Sequence, residues 1–178
     1  VYVRQGRGEN SAFAYDESWL ASPPRFNVSA DLQLMPGHQT HKAASPHDSV
    51  FHGAIADTAP DAWGRRVIAR DHAKRRKDDP KLPALTELDY LLAVDDFSRV
   101  GALRLRDPDG TWHRTVQAGR RSTPPLIELE RVFQASRAVE RGQETAEDLR
   151  YLQGKGTSLG GMRPKCTLVD EDSRLAIG

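Results

Sequence analysis

Residues Gly156–Lys165 read "GTSLGGMRPK" and run directly into Cys166–Gly178, "CTLVDEDSRLAIG". Two adjacent glycines, with a serine before them and a lysine after, are residue types suited to holding phosphate. The segment C-terminal to the loop decides the fold. A Walker A loop opens a helix, and its spacing, Gly-x-x-x-x-Gly-Lys-Ser/Thr, fails here in both frames. Counted from Gly156, the second glycine falls at Gly161, but Met162 stands where lysine is required. Counted back from Gly154-Lys155, Leu149 occupies the first glycine position. A dinucleotide fingerprint fails as well, because no strand precedes the loop and no helix comes after it. "KCTLV" is strand-like, and the acidic turn "DEDS" leads into "RLAIG", so the sequence predicts a hairpin there.

Working outward, "TAEDLRYLQGKG" predicts a helix capped by Thr145 with Asp148 and closed by Gly154. "STPPLIELERVFQASRAVERGQ" predicts another, opening at Ser122 or Thr123, with Leu126, Leu129, Val132, Phe133 and Val139 as its apolar stripe. "RVGALRLRDPDGTWHRTV" reads as a hairpin: Leu103 and Leu105 face one way, Arg104 and Arg106 the other, and Pro108-Asp109-Gly110 makes the turn. "LTELDYLLAVDD" is a helix capped by Thr86, with Leu88, Leu91 and Leu92 inward. "DTAPDAWGRRVIARDHAKRRK" is a longer helix with Asp57 or Thr58 as N-cap and Pro60 and Asp61 in its first turn. Trp63 and Val67 share one of its faces with the stems of Arg70 and Lys74. Residues 1–35 carry short β-like runs, "VYV", "AFAY" and "LQLM", and "MPGHQTHKAASPHDS" reads as a long loop. Strands and helices mix without regular alternation, which predicts an α+β fold of small sheets or hairpins with packed helices. The composition shift at "QAGRRSTPP" places a subdomain over residues 1–141 and the start of a second domain over 142–178.

The 178 residues carry 26 basic and 25 acidic side chains, so no global field points to nucleic acid or a membrane surface. The single cysteine, Cys166, excludes an internal disulfide and a cysteine-based zinc site, and fits a reducing cytosol. No apolar run approaches the roughly 20 residues that span a bilayer. The expectation is therefore a cytoplasmic protein without membrane association. The first residue is Val1 and the last lies in a strand-like run, so the chain reads as a fragment of a longer protein.

A glycine-rich loop that covers phosphates with its backbone N–H groups and runs on into a strand rather than a helix is the arrangement by which protein kinases hold ATP. Gly160 and Gly161 let the backbone approach an anion, Lys165 adds a fixed charge, and Pro164 stiffens the approach while removing one donor. A plain connector between helix and hairpin accounts for the same residue types.

The run "SLGGMRPKCTLVDEDSRLAI", with "IADTAPDAWGRRVI" and "DDFSRVGALRL" upstream, resembles the HipA family of bacterial toxin kinases, and "AFAYDESWL" is similar to an early strand and turn of that family. The resemblance covers residues 51–178, and the glycine-rich block is its most specific part. It implies a Ser/Thr protein kinase of a toxin–antitoxin system that transfers the ATP γ-phosphoryl group to a protein hydroxyl, with Mg2+. Residues 142–178 would begin its kinase-like N-lobe. A small DNA-binding antitoxin is the implied partner, and DNA is reached only through it. The resemblance further implies that Gly160, Gly161, Met162, Arg163, Pro164 and Lys165 form the ATP loop, with Lys165 as the loop lysine; Met162 and Arg163 fall at variable positions. Ser158 is the implied autophosphorylation site. A phosphate there would compete with those of ATP for the same donors.

The nucleotide-binding lysine is implied just after Ile177-Gly178, and the catalytic and metal-binding aspartates in a C-lobe outside these residues. No catalytic residue and no metal ligand is therefore assigned within the chain, which alone is expected to be inactive. The alternative is a non-catalytic binding module that docks an antitoxin or a separate kinase subunit.

Five of six histidines fall between His38 and His72, and "PGHQTHK" invites a metal reading. His38 and His41 lie in a proline-flanked stretch without acidic or cysteine partners at ligand spacing, so they are read as solvated. "HAKRRKDDPK" is read as a solvated helix end, since Asp71, Asp78 and Asp79 offset its charge. Trp63 is read as a core anchor, and Asp95, Asp96 and Ser98 as turn residues.

Overall fold

The computed structural model describes residues 2–5, 8–41, 43–45, 48–94, 99–106, 108–110, 129–153, 167–169 and 175–177. The fold class is α+β, as expected, and the chain divides into two compact units, Val1–Thr58 and Ala59–Gly178.

The first unit is built on a three-stranded antiparallel sheet in the order β1 (Tyr2–Gln5), β2 (Gly8–Phe13), β3 (Gln39–His41). Tyr2 faces Ser11 across the β1–β2 pair, and Ser11 faces His41 across β2–β3. After β2 the chain turns into a short helix, α1 (Glu17–Ala21), whose N-terminus Asp16 caps by accepting from the Ser18 N–H at 2.8 Å. Tyr15 is buried, and its hydroxyl donates to the Leu32 carbonyl while accepting from the Val28 N–H. Leu32 is fully buried. Phe13 meets Tyr15 edge-on, and Trp19 meets Phe26 in the same way.

Two expectations for this unit are corrected. "LQLM" is not a strand, and the third strand lies in the stretch read as a loop. The Gln39 side-chain amide explains the first point. It donates to the Gln33 carbonyl and accepts from the Gln33 N–H, both at 2.8 Å, so this backbone is satisfied without a sheet partner. β3 has the polar sequence Gln-Thr-His and is held by its register with β2, which hydrophobic alternation does not report.

A four-residue helix, α2 (Gly53–Ala56), closes the first unit. The second unit opens with α3 (Ala62–Asp78), and its N-cap is Asp61, whose carboxylate accepts from the Gly64 N–H at 2.8 Å. Asp57 and Thr58 do not cap this helix. They terminate α2, where the Thr58 hydroxyl donates to the Ile55 carbonyl at 2.8 Å. The start is therefore shifted by a whole helical turn relative to the sequence reading, and Pro60 lies just outside the helix. α4 (Glu87–Ala93) carries the expected Thr86 cap, which Asp89 completes into a capping box, with Leu91 buried.

After α4, the side chain of Arg99 is buried and donates to the carbonyls of Leu91 and Val94, both at 3.0 Å. A cation thus satisfies the free carbonyls at a helix C-terminus. Residues 103–106 keep the expected alternation, with the leucines half-buried and the arginines exposed, and Gly110 has φ 93° in the expected turn. Residues 99–105 nevertheless form no strand.

α5 (Leu129–Arg141) and α6 (Ala146–Gln153) come next. Val132, Ala135, Ser136 and Val139 form the buried stripe of α5, while Phe133 is 53% exposed. Phe133 sits one position off the 132–135–139 line, about 100° round the helix, and stacks instead under Arg137 four residues on. Gly142, at φ 71°, ends α5 in a Schellman turn, with the Gln143 N–H on the Ala138 carbonyl. Thr145 and Asp148 make the expected reciprocal cap on α6. One cluster unites the three helices: Trp63 and Val67 of α3, Val132, Ala135 and Val139 of α5, and Leu149 and Leu152 of α6. β4 (Thr167–Val169) and β5 (Leu175–Ile177) form the expected antiparallel pair, with Thr167 opposite Ile177. No helix among the described residues is long and apolar enough to cross a membrane.

Candidate functional site

The glycine-rich segment begins where α6 ends, so whatever fixes α6 fixes the loop's first root. Leu149 and Leu152 are essentially fully buried against Trp63 and Val67. A second tie lies beside this core. Glu144 precedes the α6 cap, its side chain is 6% exposed, and both carboxylate oxygens accept from Arg70 Nη1, at 2.8 and 2.9 Å. Lys74, one turn further along α3, donates to the Glu144 carbonyl oxygen. The α3 face predicted from Trp63, Val67, Arg70 and Lys74 is thus the face that holds α5 and α6.

Burial alone would push the Glu144 carboxyl up. The hydrogen bond from Arg70, the residue's own N–H and the charges of Arg70 and Lys74 together hold it below the ordinary glutamate value. Asp148 is also held low, by the backbone and hydroxyl donors of Thr145. At the start of α3 the packing is tight: a Cβ added at Gly64 would lie 3.0 Å from Pro60 Cβ. Arg65 pairs with Glu87 of α4 and lays its guanidinium 4.1 Å from the centre of the Tyr90 ring.

The loop residues themselves, Ser158, Gly160, Gly161, Met162, Arg163, Pro164 and Lys165, lie outside the described residues, as do Asp95, Asp96 and Ser98. The structure supplies the helix that leads into the loop and the strand pair on its far side. Sequence reasoning missed Glu144, because nothing in local spacing couples it to a cation 74 residues away. It also missed a cleft of about 330 Å³ between α3 and α4, lined by Ile68, Asp71, His72, Arg75, Leu85 and Asp89. His72 Nε2 is buried there without a hydrogen-bond partner. His38 is exposed, as read, but His41 is half-buried on β3, with its ring 5.0 Å from that of His52.

A family model described as "HipA N-terminal domain" matches residues 2–90, half of the chain. The match runs through the first unit, α3 and the start of α4, and takes in the "PDAWGRR" helix start on which the resemblance partly rested. Searches of curated proteins and of solved structures found no significant match. With its sheet-bearing first unit and its Trp63-anchored helix both inside the matched span, the chain belongs to the HipA family.

Proposed function

We propose that this chain is the N-terminal part of a Ser/Thr protein kinase of a toxin–antitoxin system. The full protein transfers the γ-phosphoryl group of Mg-ATP to a protein hydroxyl. The observation that carries this reading is the antiparallel β4–β5 pair directly after Gly156–Lys165. A glycine-rich loop that returns into a strand hairpin covers a nucleotide from above, whereas one that opens a helix cradles it from below.

In this reading Gly160 and Gly161 bring backbone N–H groups onto the phosphates, and Lys165 contributes charge at the end of the loop. Ser158 is the residue that takes phosphate in autophosphorylation. α6, clamped by Leu149, Leu152 and the Arg70–Glu144 pair, holds the N-terminal root of the loop in place. Chemistry resides in groups outside these residues. The partner is a DNA-binding antitoxin, and the compartment is the cytoplasm.

Gly161→Val tests the loop. A branched side chain at the closest backbone approach should weaken Mg-ATP binding to the full-length protein by more than about tenfold, or about 1.4 kcal/mol. Unchanged affinity, measured by calorimetry, would remove the loop from the nucleotide site.

A further inference from the structure

Three side chains from separate stretches of the first unit converge: Asp31 from the turn after α1, His41 from β3 and His52 from the N-cap of α2. One ligand atom from each lies within 4.8 Å of the other two. The His52 side chain is 5% exposed and that of Asp31 42%, so the cluster has a buried wall and an open side.

The hydrogen bonds assign the tautomers. Nε2 of His52 lies 3.1 Å from the Gln39 carbonyl, and Nε2 of His41 lies 3.1 Å from the Ser49 carbonyl. A carbonyl only accepts, so each Nε2 carries the proton, and in the neutral ring each Nδ1 keeps a lone pair. Metal-bound histidines are oriented in this way, with one nitrogen anchored on a backbone carbonyl and the other free to ligate. Nδ1 of His52 is 3.0 Å from Asp31 Oδ2, and because a carboxylate only accepts, this contact needs either a second ring proton donated to Asp31 or a metal ion held between the two atoms. The carboxylate is itself fixed by the Ser29 hydroxyl and the Gly53 N–H.

We propose that Asp31, His41 and His52 are the ligands of a divalent transition-metal ion. Two imidazoles and a carboxylate form a donor set that suits zinc, leaving a fourth position open to water. Zinc bonds of about 2.0–2.1 Å put tetrahedral ligand atoms about 3.3 Å apart, so a separation as wide as 4.8 Å in the cluster must close by about 1.5 Å. Asp31 Oδ2 and His52 Nδ1 are already 3.0 Å apart, so the half-buried His41 is the ligand that has to move toward that pair. The ion would tie the 29–31 turn, β3 and α2 together. It is separate from the phosphoryl-transfer reading and does not depend on it.

The test uses the full chain stripped of metal with a chelator, then titrated with zinc chloride by calorimetry and with cobalt chloride by visible absorption. One equivalent should bind, and cobalt should show the ligand-field bands of a low-coordinate nitrogen–oxygen site. His41→Gln and Asp31→Asn should each weaken binding by about tenfold or more while far-UV circular dichroism stays unchanged. His38→Gln, an exposed histidine outside the cluster, should leave binding intact. Absence of a one-equivalent site overturns the proposal, as does a site sensitive to His38→Gln but not to His41→Gln. Both informative variants alter partly exposed side chains, so their failure to bind is not confused with collapse of the buried His52.

Discussion

Trp63→Ala should lower the stability of the 59–178 unit by about 3–5 kcal/mol, the range for truncating a fully buried large aromatic side chain. Trp63 is 2% exposed and sits at the junction of α3, α5 and α6, so its loss opens a cavity that three helices cannot close independently. Trp63→Phe separates volume from polarity. The indole N–H is buried without an acceptor, and an unsatisfied buried donor costs about 1–3 kcal/mol. Phenylalanine removes that donor and keeps most of the ring, so it should cost far less than alanine. Urea denaturation followed by circular dichroism reads both variants. Equal losses for alanine and phenylalanine would show that the indole makes a contact missing from this account.

Arg70→Met should cost about 3 kcal/mol at neutral pH, because it strands the Glu144 carboxylate in a buried position with its principal donor gone. For a domain of this size that is roughly 6–12 °C in Tm. The arginine stem is apolar, so methionine keeps its packing and isolates the charge. The pH dependence has a definite sign. Glu144 titrates below its ordinary value of 4.5 in the folded chain, so the stabilisation is full above that value and fades as pH falls through the folded one. The penalty of Arg70→Met should therefore shrink in acid, where a protonated Glu144 no longer needs the guanidinium. A penalty that stays constant down to about pH 3 would show that Arg70 acts through packing alone.

Local chemistry made part of this fold legible. Thr145 and Asp148 form the reciprocal cap read from their spacing, and Thr86 caps α4 as read, with Asp89 as a partner that the structure adds. Trp63, Val67, Arg70 and Lys74 fall on one helical line, and that line faces the partner helices. Competition between neighbouring elements was not legible. Asp57 and Thr58 have the right types to cap α3, but α2 uses them first, and Asp61 takes the position. Phe133 matched the apolar stripe by composition, yet its angle on α5 puts it in solvent. β3 and the Gln39–Gln33 amide pair depend on contacts between strands and turns, which no window of sequence contains. For the candidate site, the hairpin after the loop was readable from strand propensity and its acidic turn. The Glu144 clamp that steadies the helix before it was not, because it links residues far apart in the chain.

The most direct measurement is phosphopeptide mass spectrometry of the full-length protein after incubation with Mg-ATP. Phosphate on the peptide that contains Ser158, and none in the same peptide of Ser158→Ala, is the predicted result. An unmodified Ser158 peptide in the wild-type protein under conditions where it phosphorylates a protein substrate would contradict the assigned role of this loop. The absence of any phosphoryl transfer would contradict the kinase reading itself.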